Sequence, residues 1–224
     1  MPDPKYYEKH KGRLNNSKKI IVVEGEDDAS LVSWILKNDC NADPADVGII
    51  DVGGTANFSP GLSILFKSPG ITAGTATHLL ILFDADDDPT LTYGRIKAVT
   101  TKHGLKLPPL GDTGSFSNDL YGGIFSFPDS INSGDLESFC LATVKDSELE
   151  KLAANFFTQA KSLLDKKGGS MNGSQHKRIA QAYLSGCTGD LVRGAGLGFS
   201  RGHFDSSDPM VKKLSDFIKK SLEI

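Results

Sequence analysis

An α/β protein is what this sequence of 224 residues predicts: a parallel sheet of about four strands flanked by helices, followed by a helical C-terminal extension. Three observations carry the prediction. The apolar runs at 19–24, 47–52, 79–83 and 121–128 are near-continuous rather than alternating, as in strands buried on both faces. The first three are separated by helically spaced stretches and short links, the β-α-β-α-β-α order of right-handed crossovers. Glu24, Asp51 and Asp84 stand at the ends of those three runs, where ligands sit in open sheets of this kind.

Taken in order, residues 1–16 mix Pro, Lys, Tyr and Asn without periodicity and read as a flexible arm. The run 19–24 is β-branched between charged ends, and Gly25 permits a tight turn after it. Asp27 or Asp28 is placed to cap the next helix, in which Leu31, Trp34, Ile35 and Asn38 share one face. A turn-rich link over 38–46 leads to the second strand. The Gly53-Gly54-Thr55 that follows is not a dinucleotide fingerprint and serves a strand-to-helix turn. Residues 57–67 predict a short helix with Phe58, Leu62 and Leu65 inward, and a Ser-Pro-Gly turn precedes the third strand. Residues 90–103 predict a helix with Leu91, Ile96 and Val99 inward, 105–118 a Pro- and Gly-rich loop, and 121–128 the fourth strand. A helix then opens at 133–137, with Leu136, Phe139 and Cys140 towards the core. The amphipathic helix over 148–167 uses Leu149, Leu152, Phe156, Ala160 and Leu163. The last helices, 174–184 and 209–222, flank a Gly-rich, basic segment at 193–203. The implied division is an arm (1–16), an α/β core (17–147) and a helical, basic extension packed on that core (148–224).

Composition narrows the class. Hydrophobic residues make up 38% and charged residues 24%, and no apolar run approaches the roughly 20 residues that span a bilayer. Residues 1–16 lack the apolar segment of a secretory leader. Cys40, Cys140 and Cys187 are odd in number and widely spaced, with no CxxC, which argues against a disulfide framework and a zinc site and fits a reducing cytosol. The expectation is a cytoplasmic protein without membrane contact. The net charge of −3 is unevenly spread: from Lys151 onward 12 Lys and Arg face 6 Asp and Glu, whereas the remainder has 13 against 22. That pattern fits either an acidic metal site served by a phosphate-binding extension or clustering on solvated helices.

The chemistry concentrates where the third strand ends, in Asp84-Ala85-Asp86-Asp87-Asp88-Pro89. Four carboxylates in five residues repel one another, and a hard divalent cation with oxygen ligands relieves that cost. Alone, the cluster reads equally as a solvated acidic turn. Asp84-x-Asp86 also approaches the phosphatase DxDx(T/V) pattern, but Asp88 stands where Thr or Val is required. His10, His78, His103, His176 and His203 show no metal-ligand spacing, and Ser59 and Ser63 lack a GxSxG setting. Arg193, Arg201 and His203 read as a mobile phosphate clamp or as a solvated loop.

Two motifs combine into a resemblance. Val23-Glu24-Gly25-Glu26-Asp27-Asp28 closes the first strand, and Leu82-Phe83-Asp84-Ala85-Asp86 closes the third. A strand-ending glutamate followed by glycine, and later a strand-ending DxD, resembles the Toprim domain over about residues 18–143. That Rossmann-like domain occurs in topoisomerases, primases, small RNA-maturing nucleases and the OLD-family nucleases. The resemblance implies that Glu24, Asp84 and Asp86 bind Mg²⁺ (or Mn²⁺) and handle a phosphodiester of DNA or RNA. Asp28 is similar to the second acidic position of the OLD-type branch. Glu137, in Gly134-Asp135-Leu136-Glu137, is similar to its later "LE" glutamate near the metals. Lys177 is similar to a lysine in the C-terminal part of that branch and would face the charge of phosphoryl transfer. The tail, Phe204-Asp205 and 209–218, resembles small stand-alone Toprim proteins with no ATPase module attached.

Asp87 and Asp88 depart from the small or Gly-containing turn that follows the DxD in many members, and a topoisomerase-type tyrosine and a primase zinc ribbon are both lacking. The expectation is therefore a metal-dependent nuclease acting in DNA repair or phage defence. The alternative is a non-catalytic nucleic-acid-binding or adaptor protein that retains the acidic site. One or two metals, DNA or RNA, and a protein partner or a homodimer all stay open.

Overall fold

The computed structural model describes residues 12, 15–117, 119–171 and 173–224. Most of the arm expected over 1–16 lies outside them. Among the described residues five strands form one sheet in the order β2-β1-β3-β5-β4. They are β1 (Lys19–Val23), β2 (Val47–Asp51), β3 (His78–Asp84), β4 (Thr113–Ser117) and β5 (Leu120–Phe127). β1 pairs in parallel with β2 and with β3, and β3 pairs in parallel with β5, so Glu24, just past β1, and Asp84 emerge side by side. The fold class is thus α/β with a Rossmann-like, mostly parallel sheet. The sheet has one strand more than expected. β4 is a short antiparallel edge strand inside the stretch read as a loop. Its sequence, Thr-Gly-Ser-Phe-Ser, gives no apolar run because only Phe116 turns inward.

Alternate side chains of the buried strands feed two cores, as a sheet covered on both faces requires. On one face Ile20, Val22, Leu79, Ile81 and Phe83 meet α2 (Thr55–Lys67), with Phe58, Leu62 and Leu65 inward as expected. The short α3 (Pro69–Thr72) and α4 (Pro89–Lys102) complete that layer. In α4 Ile96 is buried, but Leu91 is exposed: it sits on the outer side of the first turn. On the other face Ile21, Val23, Leu80, Leu82, Phe125 and Phe127 meet α1 (Glu26–Asn38) and α5 (Leu136–Ala142). The same buried cluster continues through α6 (Ser147–Lys166), α7 (Gln175–Gly186), α8 (Ala195–Ser200) and α9 (Pro209–Leu222). A dozen or so side chains of these later helices and their links lie in that cluster, including Tyr183, Phe199, Phe204, Leu214 and Ile218.

α6 has a different inward face from the one expected. Ala153 and Phe157 are buried, whereas Leu152, Phe156 and Leu163 are exposed. α8 also lies in the segment read as a Gly-rich loop, and it packs on α1 because two glycines remove the obstacle. A Cβ on Gly194 would run into the Asp27 carboxylate, and one on Gly196 into the Asp27 carbonyl. Asp27 therefore does not cap its own helix. Its carboxylate accepts the backbone N–H groups of Ala195 (2.7 Å) and Gly196 (3.0 Å) and caps α8 across the fold. Among the described residues no helix is long and apolar enough to cross a membrane.

Candidate functional site

The site is assembled at the C-terminal ends of β1 and β3. β1 runs fully buried into Glu24, which is 5% exposed, and the chain then turns at Gly25 into α1. Glu24 Oε1 reaches sideways and accepts the backbone N–H of Asp84 at 3.1 Å, tying the two strand ends together. Asp28, one turn into α1 and 6% exposed, accepts the N–H of Gly25 through Oδ2 at 3.0 Å. Its other oxygen, Oδ1, is buried and has no hydrogen-bond partner. Burial, then the Glu24 carboxylate, pushes the Asp28 pKa up to about 7.

β3 presents the acidic run, and the structure sorts its members. Asp84 Oδ1 accepts the N–H of Leu136 at 2.9 Å, which docks the start of α5 against β3. Burial, then Asp28, Glu24, Asp135 and Glu137, raises the Asp84 pKa well above the carboxylate range. Asp86 adopts a left-handed φ of 52°, and its backbone exchanges two 2.8 Å hydrogen bonds with Gly134. That bridge needs glycine. Gly134 has φ 148°, and a Cβ there would lie 2.5 Å from Ser138 Oγ and 2.9 Å from Pro128 Cδ. The Asp86 side chain is exposed at the rim, and burial, then Asp87 and Asp135, raises its pKa while Arg95 opposes. Asp88 is a helix cap: Oδ1 accepts the N–H of Thr90 at 2.8 Å and its hydroxyl at 2.6 Å. Those two bonds hold the Asp88 carboxyl below its usual range. Asp51 pairs with Val23 at the end of β2, but it lines a groove of about 940 Å³ that runs along α1 with Glu26, Trp34 and Lys37. That groove is the larger concavity but lies outside the acidic cluster.

α5 and α7 close the site from the other side. Glu137, 5% exposed, meets Lys177 Nζ at 3.3 Å. Burial, opposed by Lys177, raises the Glu137 pKa. For Lys177, burial lowers the pKa, but Glu137, with Asp84 and Asp135, more than offsets it and leaves the ammonium above its usual value. The site also contains residues that sequence reasoning left out. Asp135 caps α5, accepting the N–H of Ser138 at 2.8 Å, and takes the Ser174 hydroxyl at 2.5 Å. His176 Nδ1 lies 3.1 Å from the same carboxylate. Asp135 is visible in sequence only as a helix cap, and His176 only as the neighbour of Lys177. A cavity of about 30 Å³ between Asp27, Glu137, Lys177 and Arg193 brings one arginine of the Gly-rich segment to the same edge. That volume holds about one water.

Of the residues the sequence singled out, Glu24, Asp28, Asp84 and Glu137 are therefore brought into one electrostatic cluster, with Lys177 on Glu137 and Asp86 at the rim. Among the described residues no group of three or more His, Cys, Asp or Glu side chains is spaced to hold a metal ion as it stands. The donor set is nonetheless all oxygen, and the partnerless Asp28 Oδ1 is a ligand atom buried among carboxylates. Both features fit a hard divalent cation rather than a sulfur- or imidazole-bound one.

Fold and site together define an α/β protein with a buried carboxylate cluster where two adjacent parallel strands end. The chain belongs to the family described as "Protein of unknown function (DUF3226)", whose model matches residues 18–223. No curated protein sequence matches it. Among solved structures it is similar to the C-terminal region of the Xanthomonas campestris pv. campestris OLD protein. The identity is 15% and the TM-score 0.47, over 92% of this chain and 97% of that one.

Proposed function

We propose that the chain performs divalent-cation-dependent phosphodiester chemistry on DNA or RNA, as a small Toprim-like nuclease. The observation that supports this reading is the tie between Glu24 and Asp84 at neighbouring strand ends, with the partnerless Asp28 Oδ1 buried beside them. Acids packed this way raise one another's proton affinity, and a cation at the same place would relieve the repulsion. Glu24, Asp28, Asp84 and Glu137 would hold Mg²⁺ or Mn²⁺, with Asp86 reaching it from the rim. When bound, the cation would neutralise phosphoryl charge and activate water.

The remaining work belongs to the chain. Lys177, held by Glu137, would offer its ammonium to the charge that builds on phosphorus-bound oxygens. Asp135 orients His176 through Nδ1, which leaves Nε2 for a phosphate or a water outside the cluster. The experiment is incubation of the protein with plasmid, single-stranded DNA and single-stranded RNA in Mn²⁺. Cleavage abolished by Glu24→Ala and by Asp84→Ala is the expected result. Cleavage undiminished in both variants overturns the proposal. The second reading, a nucleic-acid-binding protein without turnover, is favoured by the absence of a preformed three-carboxylate group among the described residues. It would show binding that weakens steeply with salt and no cleavage in any metal.

A further inference from the structure

Along α6 runs an apolar stripe that the fold leaves uncovered. Its members Leu152, Phe156 and Leu163 are 65%, 67% and 56% exposed. At about 100° per residue they fall within about 40° of one another, whereas the buried Ala153 and Phe157 are turned away by about 100°. From residue 161 to residue 166 every position of α6 is exposed, so its last turns stand clear of the core. Beside the stripe a cleft of about 240 Å³ opens between α6 and α7, with Phe156, Ala160, Met171 and Ala182 in its walls. A projecting aromatic ring next to an apolar cleft is self-complementary: each copy of such a surface offers both the knob and the hole.

The charges along the helix select the occupant. Glu148 and Lys166 are both exposed, and neither makes an ion pair with another described residue. They share one azimuth, about 60° to one side of the stripe, and stand about 27 Å apart along the axis. Glu148 and Glu150 stand in the first turn of α6 and Lys166 in its last, where Asp165 lies on the far side of the helix, about 160° from the stripe. An antiparallel pair of α6 helices related by a two-fold axis at the level of residue 157 places Glu148 of each copy against Lys166 of the other. In that register Asp165, the one acid that comes near the other copy's Glu148 and Glu150 in height, points away from the contact, and Phe156 lies within one residue of the axis, against its counterpart.

We infer that α6 is a homodimer interface, its occupant a second copy of this chain packed antiparallel through Leu152, Phe156 and Leu163. The contact strip is about 30 Å long and about 10 Å wide, or roughly 300 Å² per copy. That is well under the roughly 800 Å² per partner of a standard interface, so the dimer is weak and concentration-dependent.

Sedimentation velocity over a concentration series tests it. The wild type should move from 24.0 kDa towards twice that mass as concentration rises through the micromolar range. Phe156→Glu, on an exposed position, should keep the melting temperature and remain monomeric throughout. Glu148→Lys and Lys166→Glu should each weaken the dimer at least tenfold, and the double exchange should restore it. A wild type that stays monomeric throughout overturns the inference. So does a dimer indifferent to Phe156→Glu, or a double exchange no better than the single changes.

Discussion

Replacing Asp28 with asparagine tests the electrostatics of the site without removing its bulk. Asp28 is 6% exposed, and its pKa stands at about 7 in the folded protein against an ordinary aspartate value of 3.8. Between those two values the folded state keeps a proton that the unfolded chain has released. The contribution of Asp28 to metal-free stability is therefore fully present below about pH 4, falls as the pH rises, and is fully lost above about pH 7. A tenfold change in proton affinity corresponds to about 1.4 kcal/mol, so ionising Asp28 costs on the order of 4 kcal/mol, an upper bound because Glu24 shares the titration. Asparagine fills the same volume, carries no charge and can donate towards Glu24. In EDTA at pH 8, Asp28→Asn should melt several degrees above the wild type, at about 2–4 °C per kcal/mol for a chain of this size. At pH 4 the two should melt together. Mn²⁺ at pH 8 should reverse the order, by stabilising the wild type and not the variant. Scanning fluorimetry at the two pH values, with EDTA or Mn²⁺, reads all three outcomes. An asparagine variant that melts below the wild type at pH 8 in EDTA refutes the claim that the acids are held together under strain.

Other outcomes follow from single contacts. Lys177→Met should lower any cleavage rate by about 10²–10³-fold while leaving Mn²⁺ binding within a few-fold, measured by single-turnover kinetics beside calorimetry. Asp88→Ala should cost about 1 kcal/mol of stability, the value of a helix cap, with metal binding unchanged, by chemical denaturation and titration. Gly196→Ala should lower the melting temperature sharply, because its Cβ meets the Asp27 backbone and pushes α8 off α1. Asp86→Asn should weaken cation binding far less than Asp84→Asn does, since only Asp84 lies inside the cluster.

How much of this is legible in sequence depends on how each residue is held. The four long strands are readable because a strand buried on both faces must be apolar throughout. Glu24 and Asp84 are readable because charge at the end of such a strand breaks the pattern. β4 is not, since an edge strand with one inward residue, Phe116, has no periodicity to detect. α6 misleads because it carries two adjacent apolar stripes. Periodicity finds both but cannot say which one the fold covers, since each carries a phenylalanine, Phe157 buried and Phe156 exposed. The acidic run 84–88 looks uniform; its division into cluster (Asp84), rim (Asp86) and helix cap (Asp88) depends on a left-handed turn at Asp86 that Gly134 makes possible. Asp135 and His176 lie 41 residues apart and are joined only by the packing of α7 on α5. Asp27 is a similar case, a first-turn aspartate whose real partner lies 168 residues away.

The central claim is that Glu24, Asp28 and Asp84 form a divalent-cation site. Isothermal titration of the wild type with Mn²⁺ and with Mg²⁺ at pH 8 and at pH 6, beside Asp84→Asn, tests it directly. The account expects saturable binding at pH 8, weaker binding with proton release at pH 6 because the raised Asp28 and Asp84 must first ionise, and none in Asp84→Asn. A wild type that binds neither ion at pH 8, or an Asp84→Asn variant that binds as the wild type does, would contradict it.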